Sequence, residues 1–149
     1  MIEKLKELAE VGKSIIFSGS PRTVYEAEKE IPLLKELYGQ ENVRFILLEI
    51  GAETTIFRNS NRRICELIRH SILFTKETEN LTLCPLDGSK LVKRKGLDDP
   101  ETIKKRLEIF KEQTFPVLES VEKEGLSVNK VNGEQTVSDV FKDVLKVAK

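Results

Sequence analysis

The feature that most constrains this chain is an alternation of helix and strand patterns, interrupted only once. Apolar residues at 2, 5, 8 and 9 mark one face of an opening helix. Gly12 follows as a residue free to take positive φ, with Lys13 beside the negative helix end. Ile15–Phe17 reads as a short buried strand, broken by Gly19-Ser20-Pro21. A second helix is expected over Val24–Tyr38 with a stop at Gly39, and the apolar run Val43–Ile50 reads as another buried strand. Residues 53–69 read as helical, with Arg58, Arg62, Arg63 and Arg69 as a basic series. From Ser71 to Lys95 short apolar pieces alternate with polar turns, a small β excursion. Asp99 ahead of Pro100, with Glu101 in the first turn, opens a helix expected to reach Glu124 and stop at Gly125. Leu126–Val131 is the last expected strand, Asn132-Gly133 a turn, and Thr136–Ala148 a final helix capped by Thr136 or Ser138. Such alternation predicts a layered α/β domain with a parallel sheet.

The 149 residues suffice for one domain carrying a small insertion. Twenty-five basic and twenty-five acidic residues cancel, which argues against a generic nucleic-acid or membrane surface. No apolar run approaches the ~20 residues of a membrane span, and no signal-peptide pattern opens the chain. Two cysteines, Cys65 and Cys84, suit a reducing cytoplasm better than a disulfide scaffold.

Gly12-Lys13-Ser14 mimics the end of a phosphate-binding loop but stands in the wrong context. That loop needs G-x-x-x-x-G-K-[ST] after a strand and opening into a helix, so that backbone N–H groups face the anion. Here the first glycine position holds Glu7, and the order is helix, turn, strand. The three residues are a helix stop.

Eight other segments form a colinear series. Ser18-Gly19-Ser20-Pro21-Arg22-Thr23 resembles the D-G-F-P-R-T element of adenylate kinases. Leu48-Glu49-Ile50 followed by Arg58–Arg63 resembles their strand and R-x-x-G-R-R. Leu91–Lys95, Asp98-Asp99-Pro-Glu-Thr and Lys104–Leu107 are similar to R-x-D-D…E-T…R-L. Lys111–Leu118 resembles K-E-Q-T-x-P-L-I, and Val131-Asn132-Gly133 resembles V-D-G. The resemblance implies an α/β three-layer fold of the P-loop-kinase kind. Residues 1–63 and 94–149 would form the core and 64–93 a small β lid. The family's first strand, its P-loop and its AMP-binding insertion find no counterpart in these segments. The acidic residue of D-G-F-P-R-T, which helps organise Mg²⁺, is Ser18; the adenine-reading glutamine is Glu26; the glycine of R-x-x-G-R-R is Asn61.

Residue by residue, the resemblance places Arg22 and Thr23 at the acceptor nucleotide's phosphate and Arg62, Arg94 and Arg106 at the transferring phosphate. Arg58 would lie against the donor adenine near Gly133 and Gln135, and Asp98 and Asp99 would anchor the closed lid. Arginine suits these roles because its planar fork holds phosphate oxygens in pairs. On the residues alone, arginines at 58, 62 and 69 are a solvated helix face. Cys65, Cys84 and Asp87 resemble three of the four ligands in the family's zinc-bearing lids, and His70 is the candidate fourth. The competing reading, preferred on sequence, packs both cysteines as small hydrophobes and makes Asp87-Gly88 a hairpin turn.

The resemblance also places the absent strand between those matching 15–17 and 45–50. The expected remedy is direct pairing of these two, giving a three-stranded parallel sheet with 126–131 outside. A partner chain donating the strand, or edge-to-edge pairing of two copies, are the alternatives. Two functions follow. One is an adenylate kinase-like chain, inactive alone, with ATP or AMP and Mg²⁺ as ligands of its arginine cluster. The other is a non-catalytic module that binds a partner protein or RNA. No membrane association is expected.

Overall fold

The computed structural model describes residues 2–94 and 96–148. It divides into two compact units, one built from residues up to Glu49 and from Ile109 onward, the other from Ile50 to Glu108. The class is α/β, as expected: a short parallel sheet flanked by helices, plus a small antiparallel sheet.

In the first unit, α1 (Ile2–Glu10) ends where expected, with Gly12 at φ 66°. Helix α2 (Val24–Tyr38) starts at Thr23, whose hydroxyl accepts the Glu26 amide, and stops at Gly39 with φ 80°. Its buried face, Ala27 and Ile31, packs with Val117 and Val121 of α5 (Val117–Lys123) and with Leu126. Phe45 and Val128 lie against this cluster from the sheet. Burying a side chain such as Ile31 contributes about 1.5–3 kcal/mol relative to exposure. Strands β1 (Phe45–Glu49) and β5 (Val128–Asn132) pair in parallel, from Phe45 opposite Val128 to Glu49 opposite Asn132. Helix α6 (Val137–Val147), capped by the Thr136 hydroxyl on the Asp139 amide, packs on β5.

The expected three-stranded sheet is not what forms. Residues 15–17 make no ladder, and Ile16 is 96% exposed. That segment is held at both ends by α2 rather than by the sheet: the Tyr38 hydroxyl donates to the Lys13 carbonyl at 3.0 Å, and Thr23 fixes the far side as a cap.

Two helix expectations need correction as well. Helix α3 covers only Ala52–Asn61, because Arg62 turns to extended geometry and the chain continues as β2 (Arg63–Cys65). The reason is burial: Ile64 and Cys65 are 3% and 0% exposed and belong to the second unit's core. The helix expected from 100 to 124 is broken into α4 (Pro100–Ile109), a π-helical turn over Phe110–Thr114, and α5. There the Phe115 amide reaches back five residues to Phe110 O at 2.8 Å, and Pro116 has no amide to continue the ladder.

In the second unit, β2 is the middle of an antiparallel sheet between β3 (Ser71–Ile72) and β4 (Leu91–Val92). Cys65, Ile72 and Cys84, with Leu91 against them, form its small apolar core.

Candidate functional site

Asp98, 6% exposed, is the centre of a charge cluster in the second unit. Arg94 Nε donates to its Oδ2 at 2.8 Å and a second Arg94 nitrogen to Oδ1; Arg62 Nη2 also donates to Oδ1, at 2.9 Å. The Arg94 hydrogen bonds, and then those of Arg62, hold the Asp98 carboxyl well below the usual carboxylate range, and Asp98 in turn raises Arg94. Two guanidiniums on one carboxylate leave one formal positive charge. Arg62 is further held by Asn59, while its Nε is buried with no hydrogen-bond partner. Arg58, half-buried, lies one turn earlier on α3, and Arg106 is exposed in the last turn of α4. Arg62 and Arg94 are therefore brought together, and Arg106 makes no ion pair among the described residues.

Asp99 acts locally. Its Oδ1 accepts the Thr102 amide at 2.8 Å, which lowers its carboxyl and fixes the start of α4 as the Asp99-Pro100 pattern predicts.

The four candidate metal ligands converge: one ligand atom each from Cys65, His70, Cys84 and Asp87 all lie within 4.8 Å of one another. His70 Nδ1 is 3.5 Å from Cys65 Sγ, 3.6 Å from Cys84 Sγ and 3.2 Å from Asp87 Oδ2, which is 3.0 Å from Cys65 Sγ. A tetrahedral zinc bound at about 2.3 Å by sulfur and 2.0–2.1 Å by nitrogen or oxygen sets ligand edges of about 3.3–3.8 Å. The donor set fits that ion. Two turns of like build present the cysteines, with the Cys65 amide on His70 O at 3.1 Å and the Cys84 amide on Ser89 O at 2.7 Å. Arg69 takes φ 66°, which brings the chain round so that the His70 amide donates to Cys65 Sγ at 3.1 Å. The cysteines also pack as core hydrophobes, and Gly88 takes φ 71° in the turn after Asp87.

In the first unit, Arg22 is exposed and its amide donates to the Glu26 carboxylate at 2.6 Å. Thr23 caps α2, so both residues sit at a helix start. Ser20 donates to the buried Glu30 at 3.0 Å. In the same unit the Gly133 amide donates to Glu49 O at 2.7 Å, and Gln135 Nε2 donates to Asn132 O and to Asp143 Oδ2. A shallow groove lined by Gln40, Arg44, Gly125, Asn129 and Lys146 contains none of these residues.

The contacts of three neighbouring residues escaped sequence reasoning. Ser89 donates its amide at 2.9 Å and its hydroxyl at 2.7 Å to Asp87 Oδ1, and Asp87 is held low by the Cys65 contact first and Ser89 next. The aspartate-to-serine spacing of two is the signature of such a turn. Arg63, read in the sequence only as one of a basic series, clamps the carbonyls of Thr78 and Leu81, and Asn59, with no sequence signal beyond polarity, orients Arg62.

An α/β chain with a short parallel sheet flanked by helices and a small antiparallel sheet is consistent with a kinase-like core. No family model matches the chain. It is 35% identical over 135 residues to the adenylate kinase of Bacillus velezensis, covering 89% of this chain and 60% of that protein. The adenylate kinase of Caldicellulosiruptor saccharolyticus is 34% identical over 132 residues, with 88% and 60% covered. That of Staphylococcus aureus strain Mu50 is 32% identical over 139 residues, with 91% and 62% covered. The chain matches a C-terminal portion of the adenylate kinase family and spans about three-fifths of the length of these relatives. Among the described residues, no helix is long and apolar enough to cross a membrane.

Proposed function

We propose that this chain is an adenylate kinase-like binder of nucleotide or phosphate that does not transfer phosphate by itself. The supporting observation is the Asp98 cluster: two arginines matching those for the transferring phosphate are preorganised, yet one buried carboxylate neutralises half their charge. Phosphoryl transfer relies on positioning and on neutralising charge over the moving group. Arginines without a lysine and backbone cradle for the β- and γ-phosphates supply only part of that. In this reading Arg22 and Thr23 meet a phosphate in the first unit, and Arg62, Arg94 and Arg106 an anion in the second, with Mg²⁺ arriving on the nucleotide. Calorimetry with ATP, ADP and AMP tests it. Binding of at least one of them supports the reading, and complete absence of binding removes it.

The alternative reading is a non-catalytic module that binds a partner protein or RNA. What favours it is that the departures from the family pattern have structural jobs: Glu26 accepts the Arg22 amide and Ser20 donates to Glu30. A nucleotide-free chain that captures RNA or a protein would support this second reading.

The reading includes a structural zinc held by Cys65 Sγ, His70 Nδ1, Cys84 Sγ and an Asp87 oxygen. Bound there, the ion would cross-link the two cysteine turns and supply folding energy rather than reactivity. The amide and hydroxyl of Ser89, both donating to Asp87 Oδ1, orient that carboxylate for it. A cytoplasmic setting suits the two free thiols.

A further inference from the structure

Cys65 and Cys84 are the only cysteines of the chain, and the fold of the second unit brings them together. Their Sγ atoms lie within 4.8 Å of one another. Main-chain bonds hold each in its own turn: the Cys65 amide on His70 O at 3.1 Å, the Cys84 amide on Ser89 O at 2.7 Å, and the Gly88 amide on Cys84 O at 2.9 Å. Cys65 is fixed from the other side by β4, where it stands opposite Leu91. The closeness of the two sulfurs is therefore set by the backbone of the unit.

The donor set makes this pair decisive. A zinc site with four cysteines keeps two sulfur ligands after forming one disulfide, whereas this one keeps none. His70 and Asp87 are then the donors that remain, against the four a structural zinc takes. Burial favours the disulfide over other oxidation products. Cys65 is 0% and Cys84 3% exposed, packed with Ile72 and Leu91. A disulfide there carries no charge, while a sulfinate or sulfonate would put an ion into that apolar core. The His70 side chain lies against both sulfurs and is 31% exposed, which makes its side the approach for a small oxidant.

Resting on the zinc reading above, we propose that Cys65 and Cys84 are a site of reversible oxidation, whose reduced form holds zinc and whose oxidised form is an intramolecular disulfide without it. The oxidant is a hydroperoxide, hydrogen peroxide being the simplest. One thiolate attacks the peroxide, breaking its O–O bond and giving a sulfenic acid and hydroxide. The second thiolate attacks that sulfur, forms the S–S bond and expels another hydroxide. Two protons from solvent turn the hydroxides into water. The sulfurs lose two electrons together and the peroxide gains them. Loss of both thiolates frees the ion to solvent. Two equivalents of a small thiol reverse the disulfide by exchange. A transient, redox-sensing bridge is the kind a reducing compartment permits.

The test adds hydrogen peroxide in measured amounts to the zinc-loaded full chain, quenches it with catalase, and reads released zinc with a chromogenic chelator. Zinc release should track thiol loss, one ion for both thiols. The intact mass should fall by two hydrogens, with peptide mapping joining Cys65 to Cys84 in a chain that stays monomeric. A small dithiol followed by added zinc should restore the starting state. Zinc retained after both thiols are lost, oxygen atoms gained at Cys65 or Cys84 in place of the bridge, or disulfide-linked dimers would each overturn the proposal. The zinc reading is checked before any peroxide is added: a reduced chain that takes up no zinc rejects that reading and this proposal with it. A chain that binds zinc and then fails in the peroxide arm rejects only the reversible oxidation.

Discussion

Arg94 lies along the carboxylate of Asp98, with Nε and a terminal nitrogen each donating to a different carboxylate oxygen, four residues apart in sequence. Arg62 joins the same carboxylate from 36 residues away. The triad ties the end of α3 to the segment leading into α4.

Asp98→Asn should destabilise the protein by about 3 kcal/mol, since removing one partner of a buried charge cluster strands the others. Urea unfolding measures it. The same substitution should tighten phosphate or ATP binding several-fold in calorimetry, because both guanidiniums are then free of a competing carboxylate. Weaker binding by a folded Asp98→Asn protein would contradict the anion-site reading.

The pH dependence has a defined sign. The Asp98 carboxyl is depressed in the folded state by Arg94 and Arg62. Its contribution is therefore fully present above its unfolded value of ~3.9 and is lost as pH falls through the lower folded value. Acid unfolding should steepen below about pH 4, a part of the profile that Asp98→Asn should lack.

Zinc should co-purify at about one ion per chain with protein prepared without added metal, as measured by elemental analysis, given four converging ligands. Cobalt substitution should give the intense visible bands of a tetrahedral thiolate site. His70→Ala should lower the metal content and the unfolding temperature together, and a chelator should reproduce that loss in the parent. Metal near zero with an unchanged melting curve after chelation would remove the zinc proposal.

The two hydroxyl caps give a local test. Thr23→Ala and Thr136→Ala each remove an acceptor for a helix-start amide, from Glu26 and Asp139 respectively. Each should cost about 1 kcal/mol, read by denaturant midpoints. In the core, Val121 is 0% exposed between α2 and the sheet, so Val121→Ala should cost about 1–3 kcal/mol.

How much of this was legible in the sequence depended on whether the signal was local. Gly12, Gly39 and Gly125 ended helices as read, and each takes a positive φ in the fold. The span Val24–Tyr38 and the Asp99-Pro100 start were visible because capping chemistry is written within a few residues. Residues 15–17 and 63–69 misled for one reason: their fate was decided by partners distant in sequence. Ile15–Phe17 carries strand residues without a neighbour to pair with, and Ile64–Cys65 left the helix to fill a core completed by Cys84. The π-helical turn at 110–114 had only Pro116 as a hint. At the site, the four candidate ligands were nameable from spacing and resemblance, but their convergence needed the αL turn at Arg69, which no sequence pattern announces. The Asp98 triad was also hidden, because Arg62 and Asp98 meet only through the fold.

The most direct test is a coupled assay of ADP formation from ATP and AMP with the purified chain, magnesium present and no other polypeptide added. Turnover indistinguishable from the protein-free control is expected. Turnover at ordinary kinase rates of ~1–100 s⁻¹ would contradict the view that this chain alone binds but does not transfer phosphate.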